Sequence, residues 1–458
     1  MMLYASRRDI ESLVAWTIDE AKKRGAFGAD AIYLRGESSH LAMRDGDIED
    51  DVTGKTSALS LRTLDSAGRQ GIAYGNAFDR ADLLSLIEWS LSNCRNAKDD
   101  PYVALFSGTS CGCECGNDVL RLEDPAILSG VPHDQRLRIC REMTELASSS
   151  DKRLLSVRSA AWSDGWEETF YANSVGVAAW RRETFAACGV AVLLQEGDSV
   201  EMGGYDDESH SFSALDHAFV AECAVKKTAL VLGGKPVPTG RYTLLLDPEA
   251  TSSLLAIVGE LFCASQIHKN RSLLKGKLGQ QIASPCLSLV DDGRLPGGMG
   301  TALFDDEGVP TGRTCLMESG KVGGFLYNIR HANEDGATST GNASRGMASP
   351  PDVDITNLYP VPGECSQAKL MSEIGRGLYV TEMMGLHTVD SVSGDFSLGV
   401  KGALIADGEI ASPVAETTIA GNILELLKHV VVLGNDLKFF GSVGGCSMVV
   451  EGIAVAGK

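Results

Sequence analysis

The sequence predicts an α+β protein of two domains, and three observations support this prediction. First, the residues Gly-Gly-Lys-Pro-Val-Pro-Thr-Gly at 233–240 combine helix breakers with strand breakers and predict a linker. Second, helical and alternating apolar patterns follow one another through residues 1–235. Third, short apolar strands separated by Gly and Pro dominate residues 240–458. We therefore expect an N-terminal helix-plus-antiparallel-sheet domain and a mainly β C-terminal domain with a curved antiparallel sheet.

The N-terminal domain contains two similar passes of helix, strands and helix. In the first pass, apolar residues within 9–24 fall on one helical face, four short strand patterns follow, and Asp79 can cap a second helix. In the second pass, a helix at 133–148 precedes four strand patterns and a final helix. The order is consistent with an internal duplication of 1–100 and 133–232, or with one continuous sheet, and the pattern alone does not decide between them.

After the linker, a short apolar strand at 242–246 precedes a helix at 247–262. This helix contains Leu, Ala, Ile and Val on most of its sides, so we expect it to be buried. Further along, Gly-rich and Pro-rich segments separate several short strands. The C-terminal domain is therefore predicted to be mainly β, with few helices.

The most regular pattern of the C-terminal domain begins at Phe396, where apolar and smaller residues alternate as in a half-buried strand. Asp407-Gly408 predicts a tight hairpin turn, because both central positions of such a turn favour positive φ. A second strand returns to Val414. From Thr418, a possible N-cap, apolar residues recur at helical spacing as far as Val430, and this spacing predicts an amphipathic helix.

Charge and hydropathy limit the functional classes. The formal net charge of −20 opposes binding to nucleic acid, since cationic groups supply most of the affinity for phosphates. No apolar run has the length that a membrane span needs, and the first 20 residues do not resemble a signal peptide. We therefore expect a cytoplasmic protein whose twelve cysteines are mostly small buried hydrophobic residues without disulfides.

Two clusters of potential metal ligands occur in the sequence. Cys111, Cys113 and Cys115 alternate with other residues in a polar connection, a spacing that can hold a soft metal. The favoured interpretation is nevertheless a set of incidental or reactive loop thiols, because zinc sites more often use C-x₂-C. The acidic residues at 305–307 have the oxygen ligands of a hard-cation site, but a solvated acidic turn is the favoured interpretation.

Several motifs of the chain resemble the TldD/PmbA family, in its PmbA (TldE) branch. The resemblance is carried by motifs that stand in the family's order: GKLGQQIASPCLSLVDDG (276–293), FDDEGVPT (304–311), STGNASR (339–345), GLYVTEMMGLHT (377–388), SGDFSLGVKGALIADGEI (393–410) and TIAGNILELL (418–427). It extends from about residue 240 to the end and is looser over the first 235 residues. The resemblance implies a role in peptide processing and a dimer that encloses an inner cavity, formed either by two copies or with a TldD-type partner.

The resemblance also implies where zinc would bind in the family. TldD-type members carry His-Glu-x-x-x-His on the helix after the linker, with a C-terminal cysteine as a third ligand. In this chain Leu254–Phe262 occupies that place without any histidine, and Cys446 occupies the place of the cysteine. We therefore expect no metal and no cofactor in this chain, zinc only in a TldD-type partner, and a buried thiol at Cys446.

Two loops, 339–345 and 386–395, are the expected walls of a substrate cavity, because loops held by a rigid sheet often carry function. A Ser-His-Asp triad in the second loop is a weaker interpretation, since Gly-flanked Ser and Asp are ordinary turn residues. The candidate peptide-contacting residues are Asn342, Arg345, His387, Ser393 and Asp395.

Three functions remain open from the sequence. The favoured one is a TldE/PmbA-like subunit, itself without zinc, of a cytosolic TldD/TldE-type peptidase that processes or degrades unfolded peptides. The alternatives are an independent hydrolase with a non-zinc site and a non-catalytic structural homodimer. The peptide substrate is not predicted.

Overall fold

The computed structural model describes residues 5–109 and 117–458, so the predicted thiol cluster at Cys111, Cys113 and Cys115 lies outside the described residues. The fold is α+β, as the sequence predicts. The elements of the N-terminal half are α1 (Arg7–Lys23), β1 (Gly28–Arg44), β2 (Asp47–Leu64), β3 (Gln70–Gly75), α2 (Arg80–Asn96), α3 (Asn117–Leu120), α4 (Pro125–Leu128), α5 (His133–Ser150), β4 (Leu154–Asn173), β5 (Ala178–Glu196), β6 (Ser199–Ser209) and α6 (His217–Val231).

Both passes of the N-terminal half contribute to one six-stranded antiparallel sheet with the order β3-β2-β1-β4-β5-β6. Strands β1 and β4 join the passes in continuous register from Asp30 opposite Asn173 to Met43 opposite Ala160. Each pass therefore supplies a three-stranded meander preceded and followed by helices. The duplication itself stays a prediction. Asp79 caps α2 as predicted, and its carboxylate accepts the N–H groups of Ala81 and Asp82.

The two faces of this sheet differ in what covers them. On one face, α1 and α2 pack over the ends of β1 and β2, while α5 and α6 pack over β4 and β5. On the opposite face, Ile32 and Tyr171 pack against Leu303 and Phe304 of the C-terminal half. Beyond this contact the same face presents small half-exposed residues, for example Ser163, Ala187 and Gly189. The C-terminal half therefore covers only one end of the sheet.

The elements of the C-terminal half are shorter and mostly β. They are β7 (Gly240–Leu246), α7 (Pro248–Glu260), α8 (Ala264–His268), β8 (Leu289–Asp292), β9 (Arg313–Glu318), β10 (Lys321–Val322), α9 (Ile329–Asp335), β11 (Ala343–Ser344), β12 (Asp352–Val353), β13 (Leu358–Pro360), α10 (Gln367–Ser372), β14 (Arg376–Met384), β15 (Asp395–Ala406), β16 (Glu409–Asn422), α11 (Ile423–Lys428), β17 (Val430–Leu433), β18 (Lys438–Phe440), β19 (Val443–Gly445) and β20 (Met448–Ala456).

Five of these strands close into a barrel-like sheet. The order is β16-β15-β14-β7-β20, and β20 pairs back with β16 between Thr418 opposite Ala456 and Ala420 opposite Ala454. The strands β7 and β14 are parallel, while the other neighbours are antiparallel. The barrel strands share one large apolar core with α7 and α11. A second sheet, β10-β9-β8-β13-β19-β18, lies beside the barrel and also packs on α7.

The predicted hairpin turn is confirmed, and the predicted helix after it is partly wrong. Asp407 and Gly408 have φ values of 52° and 81° between the paired ends of β15 and β16. However, the chain stays extended through Thr418 to Asn422, because these residues pair with β15 and the first three of them also pair with β20. The helix begins only at Ile423, capped by Asn422. Sheet pairing thus replaces the first turn of the helix that the apolar spacing predicted.

Polar contacts of two lysines also join the halves away from the sheet face. Lys227 of α6 forms ion pairs with Asp247 at 3.0 Å and with Glu249. Lys438 donates to Tyr205 Oη at 2.6 Å and lies 4.8 Å from the centre of the same ring. Both lysines thus tie the C-terminal half to the N-terminal half. Within the described ranges, no helix has the length and apolarity required to cross a membrane.

Candidate functional site

Helix α7 occupies the place where the resembled family has its zinc motif. It begins where Asp247 accepts the N–H of Ala250 at 2.7 Å and Pro248 fixes the first helical φ. The side chains of Leu254, Leu255 and Val258 are at most 1% exposed and pack in the large C-terminal core. The helix thus presents hydrocarbon at the place where the resemblance implies imidazole and carboxylate in TldD-type members.

Cys446 lies close to the first turn of α7, but it does not complete a metal site. A Cβ on the preceding residue, Gly445, would meet the Pro248 carbonyl oxygen at 1.9 Å, so the chain passes directly against the helix. The Cys446 side chain is 0% exposed, as predicted for a buried thiol. Burial and the charge of Asp436 raise the pKa of this thiol to about 12, which disfavours the thiolate that zinc requires. The residues at this place do not fit zinc.

The rest of the chain that the structure describes also lacks a metal site. There, no group of three or more His, Cys, Asp or Glu side chains is placed to hold a metal ion. The acidic residues at 305–307, which have the oxygen ligands of a hard-cation site, form no such group. Their favoured interpretation as a solvated turn is wrong, because Asp305 and Glu307 are only 4% and 2% exposed.

The carboxylate of Asp305 accepts three backbone N–H groups, from Glu307 and Val309 at one oxygen and from Ala343 at the other. Burial and the charge of Glu307 nevertheless raise the pKa of Asp305 to about 8. These hydrogen bonds fix the turn against the 339–345 loop. Asp305 therefore organises the loop that contains Asn342 and Arg345.

Asn342 is buried and lines a cavity of about 210 Å³, named here the Asn342 cavity. Its Nδ2 donates to Asp291 Oδ2 at 2.8 Å and to the Asp354 carbonyl oxygen at 3.0 Å, while its Oδ1 accepts from Thr340 Oγ1 at 2.7 Å. Burial raises the pKa of Asp291 despite these donors. The amide of Asn342 is fully engaged, so its loop is held rigidly at the cavity wall.

The Asn342 cavity lies at the boundary between the small-residue face of the N-terminal sheet and the loops of the C-terminal half. Its walls include Arg181 and Glu183 from β5, as well as Asp305, Asp306 and Asp354. Arg181 is the single cation among these wall residues, and it already donates to Asp306 at 3.0 Å and to the Phe304 carbonyl oxygen at 3.1 Å. The walls are therefore acidic and rich in acceptors, which suits ligands that donate N–H groups or carry positive charge.

Arg345 belongs to the same loop, but its side chain points away into an ion-pair cluster between the halves. This inter-half cluster consists of Asp30, Arg62, Glu307 and Arg345. The Arg345 and Asp30 side chains are each 0% exposed, and Nη1 lies 2.8 Å from Oδ1. Burial alone would raise the pKa of Asp30, but Arg62 and Arg345 together hold it below its ordinary value. In this structure Arg345 meets a carboxylate of its own chain.

His387, Ser393 and Asp395 lie in an exposed loop that begins with a 3₁₀ turn at Leu386–Thr388. Asp395 accepts from Asn422 Nδ2 at 3.0 Å, and its backbone N–H donates to Ser393 Oγ at 3.2 Å. Among the described residues no hydrogen bond joins His387 to either of them, so the structure does not bring a Ser-His-Asp triad together. None of the three lines the Asn342 cavity.

The contribution of β5 to the cavity was not predicted from the sequence. Arg181 and Glu183 are two residues apart on one strand, and they therefore share a face. Glu183 also lies directly opposite Glu167 of β4, and the positive charge of Arg181 acts on both glutamates. The spacing of Arg181 and Glu183 along one strand is visible in the sequence. However, the loops of the C-terminal half that meet their face of the sheet lie more than 100 residues further along the chain.

Comparison with known proteins assigns the family. Family models match three segments: PmbA/TldA metallopeptidase domain 1 at 29–94, the central domain at 127–232 and the C-terminal domain at 239–457. The chain is 27% identical to a metalloprotease of Methanothermobacter thermautotrophicus, over 93% of this chain and 92% of that relative. It is 23% identical to the metalloprotease PmbA of Escherichia coli O157:H7, over 99% and 97%.

Solved structures show the same fold over nearly the whole chain. A Thermotoga maritima MSB8 protein, named as a modulator of a DNA gyrase, superposes with a TM-score of 0.88 at 26% identity, over 98% of this chain and 100% of that chain. TldE from Thermococcus kodakarensis gives a TM-score of 0.84 at 23% identity, over 98% and 100%. The motifs, the matched segments and the shared fold agree. The chain belongs to the TldD/PmbA family.

Proposed function

We propose that this chain is a TldE/PmbA-like subunit, itself without zinc, of a TldD/TldE-type peptidase that processes or degrades unfolded peptides in the cytoplasm. One observation supports the proposal: α7 presents buried leucines at the place where the resemblance implies zinc ligands in TldD-type members. The neighbouring Cys446 is a buried thiol whose raised pKa opposes metal binding. Hydrolysis by zinc would then depend on a TldD-type partner, which supplies the metal.

The chain's own contribution would be to hold the peptide. The Asn342 cavity is lined by carboxylates and backbone oxygens, and peptide N–H groups donate to such acceptors. Asn342 would act by keeping the 339–345 loop at the cavity wall. Arg345 would act on the same loop through its ion pair with Asp30, and it would meet a peptide carboxylate only after leaving that pair.

The exposed loop of His387, Ser393 and Asp395 is the second proposed contact. Its side chains reach solvent and none is committed to the core, so they are free to meet a peptide or the facing subunit. This would place the loop at an entrance to the inner cavity of the dimer, while the Asn342 cavity would contact the peptide separately. The partner is either a TldD-type subunit or a second copy of this chain.

Metal analysis and reconstitution test this proposal. The isolated chain, purified without chelator, is expected to contain far less than one equivalent of zinc and to cleave no peptide. Addition of a TldD-type partner is expected to yield peptide cleavage that a chelator abolishes. A full equivalent of zinc that is lost on Cys446→Ala would refute the assignment of α7.

The same experiments separate the alternative functions. Cleavage by the isolated, metal-free chain would indicate an independent hydrolase. If every candidate partner gives no cleavage and no complex, the structural homodimer is favoured. In an active complex, Asn342→Ala is expected to slow processing, whereas Asn435→Ala, an exposed asparagine elsewhere, serves as the matched control. Unchanged processing in the double variant Arg345→Ala/His387→Ala would remove both loops from the proposal.

A further inference from the structure

A second pocket opens at one end of the N-terminal sheet, and it shares no wall residue with the Asn342 cavity. It has a volume of about 440 Å³ and is named here the Phe27 pocket. Pockets of about 300–1,000 Å³ with a mostly apolar lining are typical ligand sites. Neither α7 nor the proposed peptide contacts belong to this pocket. Its chemistry is therefore considered by itself.

The turns that follow α1, β2 and β4 form the pocket together with the segment 100–106. After α1, Gly25 adopts a φ of 106°, and the N–H of Phe27 then donates to the Leu64 carbonyl oxygen at 2.8 Å. This bond holds Phe27 beside the end of β2. In the turn after β4, Ser174 Oγ accepts the N–H of Ala29 at 3.1 Å. Hydrogen bonds to the main chain therefore fix the walls of the pocket.

The lining of the Phe27 pocket is mainly hydrocarbon. Leu64 is 5% exposed, and Leu105 packs so closely on Gly28 that an added Cβ there would lie 3.0 Å from Leu105 Cδ1. Phe27 and Val175 also line the pocket, although they are 73% and 53% exposed. Exposed apolar side chains that adjoin a concave site are typical of a surface that binds an apolar group. The pocket thus suits a large apolar side chain.

The segment 100–106 adds main-chain groups to this lining. It forms neither helix nor strand, and Val103, Ala104 and Leu105 line the pocket. The N–H of Val103 donates to the Asp100 carbonyl oxygen at 3.2 Å. Within the described part of the chain, no hydrogen bond occupies the main-chain N–H or C=O groups of Ala104 and Leu105. Such groups can pair with the main chain of a bound peptide.

The wall contains two ionisable side chains, Lys22 and Asp65. Asp65 is engaged, because its carboxylate accepts from Arg69 Nε at 2.6 Å and from two backbone N–H groups. Lys22 forms no ion pair with any carboxylate that the structure describes, whereas its neighbour Lys23 lies 3.7 Å from Glu20. Lys22 is therefore the charged group of the wall that remains available to a ligand, and its charge favours an anion.

The end of α1 does not cancel the effect of Lys22. A helix C-terminus carries roughly half a negative charge, which is less than the full positive charge of the lysine. The N–H groups of residues 24–26 also donate to carbonyl oxygens in the last turn of α1 at 3.0–3.1 Å. Most of the chain's net charge of −20 acts from further away, and exposed charges beyond about 10 Å are largely screened at 0.1 M salt.

We propose that the Phe27 pocket binds the C-terminal end of a peptide whose last residue has a large apolar side chain. This side chain would lie against Phe27, Leu64 and Leu105, and the terminal carboxylate would meet Lys22. The peptide main chain would pair with the free groups of Ala104 and Leu105. A fatty acid has the same hydrocarbon and carboxylate, but it would leave those main-chain groups unpaired. The inference deepens the proposed function, on which it rests for the peptide nature of the ligand.

The segment 100–106 also links the pocket to the C-terminal half. Asp100 accepts from Arg330 Nε at 2.8 Å, and the Tyr102 carbonyl oxygen accepts from Asn333 Nδ2 at 2.8 Å. A peptide end on this segment would therefore lie beside contacts that join the two halves. Because a ligand that binds only the folded chain stabilises it, the bound peptide is expected to raise the temperature of thermal unfolding.

Fluorescence polarisation with the isolated full-length chain tests the proposal. The probe is fluorescein-Gly-Ser-Gly-Val-Phe with a free C-terminal carboxylate. The competitors are the acetylated peptide of the same sequence, its C-terminal amide, and acetyl-Gly-Ser-Gly-Val-Ala. Exchange of the last Phe for Ala is expected to weaken competition about tenfold or more, because a large apolar side chain loses its burial. Amidation is expected to weaken competition about two- to fivefold, the range of an exposed ion pair.

Four variants locate the bound peptide. Phe27→Ser removes an exposed part of the wall and is expected to weaken probe binding about fivefold or more, whereas Trp89→Ser, at a 61% exposed aromatic residue of α2, is the matched control and is expected to change nothing. In Lys22→Met the free acid and the amide are expected to compete equally. Lys152→Met, at another exposed lysine, is expected to keep the difference between them.

Several results would overturn the proposal. These are the absence of probe binding at the highest soluble concentration of the chain, equal competition by the peptides ending in Phe and Ala, and a preference for the free acid that survives Lys22→Met. Decanoate binding without peptide binding would assign the pocket to a fatty acid. Conversion of a dimer to a monomer by Phe27→Ser, with peptide binding unchanged, would assign it to a subunit interface.

A further control separates this pocket from the proposed function. Probe binding that is lost in Asn342→Ala but retained in Phe27→Ser, with both variants folded by thermal unfolding, would place the peptide end in the Asn342 cavity and refute the inference. The assay requires neither zinc nor a partner. Its failure would therefore leave the metal and reconstitution results standing, and their failure would leave the measured binding standing.

Discussion

The ion pair between Arg345 and Asp30 gives the sharpest stability prediction. Removing one partner of a buried ion pair typically costs about 3–5 kcal/mol, because the other charge is left in a low-dielectric site. Here Asp30 keeps a second partner, Arg62, and the Nε atom of Arg345 has no hydrogen-bond partner even in the intact protein. Both features reduce the loss. We expect Arg345→Met to lower the free energy of unfolding by about 3 kcal/mol, the lower end of that range.

Urea unfolding, followed by tryptophan fluorescence and circular dichroism together, measures this loss. The control is Arg153→Met, which removes a surface pair with Asp151 and Glu196 whose arginine is 35% exposed. Exposed pairs contribute little, so the control is expected to lose less than about 1 kcal/mol. Two probes are needed because the halves of a chain of this size do not have to unfold together.

A double-mutant cycle with Asp30→Asn isolates the pair. Because both substitutions remove the same interaction, their combined effect is expected to be smaller than the sum of the single effects by more than about 0.5 kcal/mol. Additive effects would contradict the reasoning. So would an Arg345→Met variant that is no less stable than the Arg153→Met control.

Three further predictions concern other sites. The pKa of Asp305 is about 8 in the folded chain and near 3.9 when unfolded, so the folded state holds an extra proton between these values. The free energy of unfolding should therefore fall as pH rises from about 5 to 8, and Asp305→Asn should flatten that slope in urea titrations. Gly408→Ala forces a side chain onto a residue with φ 81° and brings its Cβ to 2.8 Å from the Ser372 carbonyl oxygen, so a loss of about 1–2 kcal/mol is expected by the same assay. Leu255→Ala empties a fully buried site in α7 and should cost about 2–5 kcal/mol in thermal or urea unfolding; a smaller loss would show that the helix is loosely packed.

Local patterns predicted those elements whose partners are near in sequence. The turn at Asp407-Gly408 and the cap at Asp79 depend on residues within a few positions, and the structure contains both of them. The helix expected from Thr418 shows the limit of such patterns. Its apolar spacing fits a helix, but pairing with β20, which lies more than 30 residues further on, keeps the segment extended.

The candidate site depended even more on distant contacts. Acidic residues such as those at 305–307 are usually exposed, and the cation that contacts the buried Glu307 in the described part of the chain is Arg62, 245 positions away. Arg345 was chosen as a candidate peptide contact, and the structure pairs it with Asp30, 315 positions away. Residue type showed that these side chains carry charge, while their burial and the identity of each partner required the fold.

The closure of the barrel by β20 has a consequence for synthesis on the ribosome. Strand β7 needs β20 as a neighbour, yet Met448, the partner of Leu246, is made about 200 residues later. At translation rates of about 5–20 residues per second, β7 waits roughly 10–40 s for this partner. During that interval the nascent chain exposes an apolar strand edge and the leucines of α7. The C-terminal residues therefore decide when the emerging polypeptide ceases to be a target for chaperones and aggregation.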